Sequence, residues 1–347
     1  MRFPPPQKKK SNKDRISYVD VSKGIAIWLM IVGHMYISEQ MVVYIYSFHM
    51  PLFFLLSGMF FRINKSFFDN LESAVRGLLI PYFFFSLLNL TICWISPYLH
   101  PELYYGMKGA DIFIAALNGI LIGADRVTRS SFLPLNPLWF LVALFVVRIL
   151  CSTISSITNN KYYWAGLTIL ISFLLFCITT TDVYSFRSAM LATPFYVIGF
   201  LICKIDFSKI RFFVSFPFFL LLVSYFIFII PKNGLCDLNG GVYGNCIAVY
   251  FINALVGSII VLLLSTYVSR IDKFLEVVGR NTLVILGLHA FFVRLMQVVS
   301  VFLFGSESMY SSLFIIIVPI IAILCCIIIS DPIYRYIPLA VGRKKHI

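Results

Sequence analysis

Long apolar runs separated by short polar segments dominate the chain. They fall at about 20–38, 42–61, 79–96, 137–157, 162–181, 188–203, 212–231, 246–268, 281–303 and 312–331. Each is close to the roughly 20 residues that carry a helix across a bilayer core. The alternating ten-residue segments of a membrane β-barrel are not seen. The pattern predicts an all-α fold: a polytopic integral membrane helical bundle of about ten transmembrane helices. A weaker apolar stretch at 109–123 contains Asp111 and Asn118 and reads as an interfacial helix rather than a span.

Composition supports this reading. Of 347 residues, 60% are hydrophobic and only 12% charged, against about 25% charged in an ordinary soluble domain. A net charge of +13 would suggest nucleic acid in a soluble protein, but no basic stripe with interleaved aromatics is present, and no nucleic-acid partner is expected. In a membrane protein the excess has a simpler source, because Lys and Arg collect on cytoplasmic segments. With the N-terminus inside, 22 of the 28 Lys and Arg residues fall on the cytoplasmic side. Lys108, Arg126, Arg129, Arg187 and Lys232 fall outside, and Arg294 lies within a span. The bias puts both termini in the cytoplasm. Residues 1–15 read as a basic, Pro-rich disordered tail rather than a cleavable signal. Residues 16–335 form the membrane domain, and 336–347 form a basic cytoplasmic tail.

Ionisable residues inside apolar spans are costly and mark cavities or substrate paths. The first span holds Asp20, Lys23 and His34. Eleven residues amount to about three turns, so Lys23 and His34 share one helix face, roughly 16 Å apart along the axis. Asp20 lies about 40° from His34 on the same side. It is too far along the helix to orient the His34 ring, and pairs instead with Lys23 or another helix. In the second span, His49 and Pro51 precede Ser57 and Gly58. Pro51 removes a backbone donor and bends the helix, and His49 stands near the outer end. His49 reads equally as a cavity residue or an interfacial one. Ser57 and Gly58 read equally as a cradle for a substrate arm or a packing notch. His289 and Arg294 on the ninth span either line the same cavity or bond across helices. Trp139 is a cavity candidate as well as an interface anchor. Cys236 and Cys246 flank an outer loop where a disulfide can form, with two unpaired thiols as the alternative. No Cys or His spacing suits a metal, and none is expected.

Several motifs occur in fixed order: Asp20-x-x-Lys23-x10-His34, FHMPLFFLLSG (48–58), RGLLIPYFF (76–84), PLWFL (137–141) and GRNTLVILGLH (279–289). Together they resemble the membrane acyltransferase family 3, whose members move acyl groups onto sugars of cell-surface glycans. The loop DLNGGVYGN (237–245) is similar to the fucose 4-O-acetylase-like branch. The resemblance spans about residues 15 to 340. It implies an acyl-coenzyme A-dependent O-acyltransferase, with acetyl-CoA as the donor substrate and a glycan or lipid-linked oligosaccharide as the acceptor. It also implies a bacterial inner membrane and contact with membrane lipids; oligomeric state, a homo-oligomer included, is left open. His34 takes the catalytic position, as general base or transient acyl carrier. Lys23 takes the basic position on the donor side, and Ser57 and Gly58 fill the small-residue motif. Many members carry two arginines three apart before the third span. Here only Arg76 is present, with Arg62 or Lys65 as substitutes. A succinyl donor, or a transporter of sugars or lipid-linked glycans, is the competing reading. Transporters often show internal repeats, and none is found.

Overall fold

The computed structural model describes residues 17–90, 110–123, 126–128, 131–132, 137–205, 207, 212–271 and 273–343. The N-terminal tail 1–15, the end of the third apolar run at 91–96 and residues 344–347 lie outside them. The described chain is a helical bundle with two small hairpins, Arg126–Thr128 with Ser131–Phe132 and Cys236–Asp237 with Val242–Tyr243. Its helices, in order, are α1 (Ser17–Gly33), α2 (Glu39–Tyr46), α3 (His49–Gly58), α4 (Phe67–Ala74), α5 (Ile80–Asn89) and α6 (Ala110–Ile122). They continue as α7 (Trp139–Ser155), α8 (Lys161–Ile178), α9 (Phe186–Ile202), α10 (Phe212–Asn233) and α11 (Ile247–Val268). The last three are α12 (Phe274–Arg280), α13 (Thr282–Phe304) and α14 (Ser312–Tyr336).

Every apolar run found in the sequence contains a helix. Eight helical segments are long and apolar enough to cross a membrane: Glu39–Gly58, Phe67–Asn89, Lys161–Ile178, Val183–Ile202, Phe216–Asn233, Ile247–Val268, Thr282–Phe304 and Ser312–Tyr336. α1 and α7, at 17 residues each, fall just short. α6 has 13 residues, or roughly 20 Å, in keeping with an interfacial helix.

Three boundaries differ from expectation. The first span ends at Gly33, not residue 38, so His34 stands in the turn after α1. The second span is broken at Ser47–Phe48 rather than bent at Pro51. The two are one event: a proline ring crowds the carbonyl four residues back, here that of Ser47, and offers it no N–H. His49 therefore opens α3, midway along Glu39–Gly58, instead of standing near an outer end. The third span starts at Phe67, twelve residues early. A π-helical turn at Val75–Leu79 joins α4 to α5 and carries the helix past Pro81. The expected C-terminal tail is docked up to Arg343: Pro338–Val341 forms a 3₁₀ turn, Ala340 and Val341 are buried, and Gly342 sits under the Arg76 carbonyl.

α1 is the hub, packing against α2, α3, α11, α12, α13 and α14. Two contacts bring backbones together. A Cβ on Gly58 would strike the Tyr196 carbonyl, and one on Gly199 would strike the Leu55 carbonyl. α3 and α9 thus interlock through reciprocal glycines. Gly24 meets the Leu275 carbonyl and Gly279 the Asp20 carbonyl, which locks α12 onto α1 in the same way. Small residues allow this approach where apolar side chains gain little over lipid.

Gly199→Ala is expected to destabilise the protein by roughly 1–3 kcal/mol through overpacking. Gly166, with open space around it, is the control. Thermal unfolding in detergent should show a lower midpoint for Gly199→Ala and an unchanged or higher one for Gly166→Ala.

Candidate active site

Three histidines converge, two from helices and one from the turn that follows α1. His34 follows the end of α1, where its amide and that of Met35 bond back to Ile31 and Val32. His49 opens α3, and His289 lies in α13. The rings of His34 and His289 are nearly parallel, with centroids 6.2 Å apart and 26° between planes. Tyr46 stands between the others, 6.4 Å from His34 and 5.0 Å from His49. Its hydroxyl donates to the Gly33 carbonyl at 3.4 Å, seating the aromatic ring on the end of α1. His49 and Arg294 lie within electrostatic range of the His34 ring.

The three differ in access. His49 and His289 are buried, at 4% and 1% exposure, whereas His34 is exposed. Each buried ring bonds through Nδ1 to the carbonyl four residues back: His49 to Ile45 and His289 to Ile285, both at 2.8 Å. No described residue hydrogen-bonds the His34 ring. The cluster therefore holds one accessible imidazole whose tautomer is free, between two whose orientation is set by the backbone.

A second group gathers near the N-terminal end of α1. Asp20 and Glu276 are buried carboxylates. Lys23 Nζ lies 3.7 Å from Asp20 Oδ1, and Arg280 Nε lies 3.6 Å from Asp20 Oδ2. Arg280 also pairs with Glu276, and Ser17 Oγ donates to Glu276 Oε2 at 3.0 Å. Both readings of Asp20 thus hold together: it pairs with Lys23 and with another helix. Lys23 also lies over the Phe60 ring, 5.0 Å from its centroid. Phe60 is exposed just past α3, two residues before the exposed Arg62.

Other candidates fall elsewhere. Arg76 sits in the π turn and pairs with Glu72, so the cation that joins Lys23 at Asp20 is Arg280. Gly58 is covered by the Tyr196 backbone and serves packing; Ser57 beside it is half-buried. Trp139 is 3% exposed within the apolar core, which removes it as an interface anchor. Cys236 and Cys246 are free thiols, one buried and one exposed. The Asn233 side chain lies between them: its Nδ2 donates to Cys236 Sγ at 3.5 Å, and its Oδ1 accepts from the Cys246 amide at 2.9 Å. The loop is closed by a carboxamide, not a disulfide. Burial raises the Cys236 thiol above its usual range. Among the described residues no His, Cys, Asp and Glu side chains group as metal ligands. Tyr46, Glu276 and Arg280 were not singled out from sequence. An i,i+4 acid–base pair at Glu276 and Arg280 was the one available signal.

Residues 16–331 match the family model described as an acyltransferase domain. The chain belongs to this acyltransferase family. It is also similar to the nodulation protein NolL of Mesorhizobium japonicum (strain LMG 29417 / CECT 9101 / MAFF 303099), with 26% identity over 205 residues. That alignment covers 53% of this chain and 47% of the relative, so the chain spans about half the length of that curated relative. No solved structure matches. The family match and the apolar helices support an integral membrane protein of this acyltransferase family.

A thiol reagent in detergent should label Cys246 without prior reduction and reach Cys236 only after unfolding. Protection of Cys246 that reduction relieves would restore the disulfide.

Proposed function

We propose that the protein is an O-acyltransferase that takes an acyl group, acetyl in the first instance, from acyl-coenzyme A on the cytoplasmic side. It delivers the group to a hydroxyl of a cell-surface glycan or lipid-linked oligosaccharide at the outer face of a bacterial inner membrane. The observation that carries this reading is the exposed ring of His34 beside two buried imidazoles. Imidazole accepts and returns a proton near neutrality. That is what moving an acyl group from sulfur to oxygen requires: the hydroxyl loses a proton and the departing thiolate gains one.

The family match supports acyl transfer as the reaction class. The donor assignment rests on Lys23 and Arg280. Coenzyme A is a polyanion, and cations hold phosphates through charge-assisted bonds. Both side chains are part-exposed, at 26% and 32%, above carboxylates that are 9% exposed. The carboxylates orient the cations from beneath and leave their outer faces accessible. Lys23 and His34 stand roughly 16 Å apart along α1, a distance that the pantetheine arm of coenzyme A spans. A succinyl donor is the competing reading, because its free carboxylate would need a cation near the histidines and Arg294 lies within electrostatic range of His34.

The test is transfer by the full chain in proteoliposomes supplied with acetyl-CoA and surface glycan from the parent cell. His34→Ala is expected to lower transfer by about 10²-fold or more with unchanged insertion and accumulation. Transfer at the wild-type rate would remove His34 from the chemistry. Lys23→Gln is expected to raise the apparent KM for acetyl-CoA roughly tenfold and to leave that for the glycan nearly unchanged. The opposite pattern would contradict a donor role.

A further inference from the structure

His289 has one nitrogen fully assigned and one open. Nδ1 lies 2.8 Å from the Ile285 carbonyl. A carbonyl oxygen only accepts, so Nδ1 carries the hydrogen, and Nε2 of the neutral ring holds a bare lone pair. That Nε2 is buried and has no hydrogen-bond partner among the described residues. Buried polar atoms are nearly always bonded, so an unmatched one beside the exposed His34 points to a ligand that supplies the missing hydrogen.

The spacing narrows what that ligand is. A direct N–H···N bond of about 3 Å between the rings would bring their centroids to about 5 Å. They are 6.2 Å apart, so the rings are not bonded to each other, and Nε2 of His289 is left for a third group. A single hydroxyl has one hydrogen and cannot donate to both lone pairs. Two hydroxyls on adjacent sugar carbons can, because their oxygens lie roughly 3 Å apart and each carries its own hydrogen. His49 is not placed for this part, since the Tyr46 ring stands between it and His34.

We propose that Nε2 of His289 accepts the hydrogen bond of the hydroxyl next to the one acylated, so that the acceptor is recognised as a vicinal diol. His34 receives the reacting hydroxyl. His289 makes and breaks no covalent bond; it is a positioning residue that selects which hydroxyl of a sugar faces His34. The inference rests on the glycan acceptor proposed above and names the part of the glycan that the site reads.

The experiment uses the full chain in proteoliposomes, acetyl-CoA as donor, and methyl glycosides of hexoses with their monodeoxy counterparts as acceptors. Wild-type protein is expected to favour a diol over the glycoside lacking the neighbouring hydroxyl by about tenfold or more in kcat/KM. His289→Phe keeps the ring and removes the lone pair. It should bring the ratio close to one by losing rate on the diol alone. His289→Gln, whose side-chain oxygen also accepts, should keep part of the preference. Equal losses on both acceptors would make His289 merely structural and overturn the proposal, as would an unchanged ratio in His289→Phe. Wild-type protein that transfers without discriminating sinks this inference alone, whatever the variants do. Wild-type protein that acylates none of the glycosides sinks the glycan reading and this inference with it.

Discussion

Inside a bilayer, a backbone carbonyl or amide that leaves the helical ladder must find a partner within the protein or face a cavity. The chain leaves the ladder twice around the histidine cluster, after Gly33 and at Ser47–Phe48. At the first point, 3₁₀-type bonds from His34 and Met35 and the Tyr46 hydroxyl close off the end of α1. At the second, Pro51 withholds the N–H that the Ser47 carbonyl would have used. His49 then supplies its own ring to the Ile45 carbonyl. Two of the three histidines therefore stand at irregular backbone: His34 follows one stop and His49 gives its ring to the other, while His289 reaches the cluster from within the continuous helix α13.

The charge group at the other end of α1 follows similar logic. Two buried carboxylates, Asp20 and Glu276, would be severely destabilising alone, and removing one partner of such a group leaves the other charge uncompensated. Lys23 and Arg280 offset them. The arrangement is possible because Gly24 and Gly279 let α1 and α12 touch backbone to backbone. That contact brings Arg280, hundreds of residues away in sequence, to the same carboxylate as Lys23. The second cation beside Lys23 at Asp20 thus comes from a different helix.

Much of this was legible in the sequence because it depends on local patterns. Apolar length gives the helices, and a lysine and a histidine eleven residues apart give the axis of α1. Isolated histidines in apolar runs give the cluster, since burial of an imidazole needs a reason. What escaped depends on pairings between distant segments. Pro51 announced a disturbance, but its clash falls four residues back, so the break appears at Ser47 and shifts His49 to the middle of the span. Arg280 looked like an ordinary cytoplasmic residue until α12 was seen against α1. Gly58 read equally as cradle or notch, and only its facing carbonyl, from Tyr196, decides for the notch. Cys236 and Cys246 were close enough in sequence to bridge. Asn233 between them decides otherwise, and a carboxamide at the end of a helix carries no sequence signature.

The difference in access among three like side chains is what gives the cluster a direction. Were all three exposed, any could exchange protons with water and none would be oriented. Were all three buried, no substrate would reach them. Backbone carbonyls fix the tautomer of His49 and His289, and α3 and α13 bury them. His34 follows the end of a helix, has no hydrogen bond to its ring among the described residues, and stays open. An accessible acid–base group thus stands beside imidazoles that the backbone orients. Such preorganisation lets a site favour one geometry of an incoming hydroxyl without reorganising during the reaction. The reactive ring is supplied by the turn and the selectivity by the helices, so the two can vary separately on the same bundle.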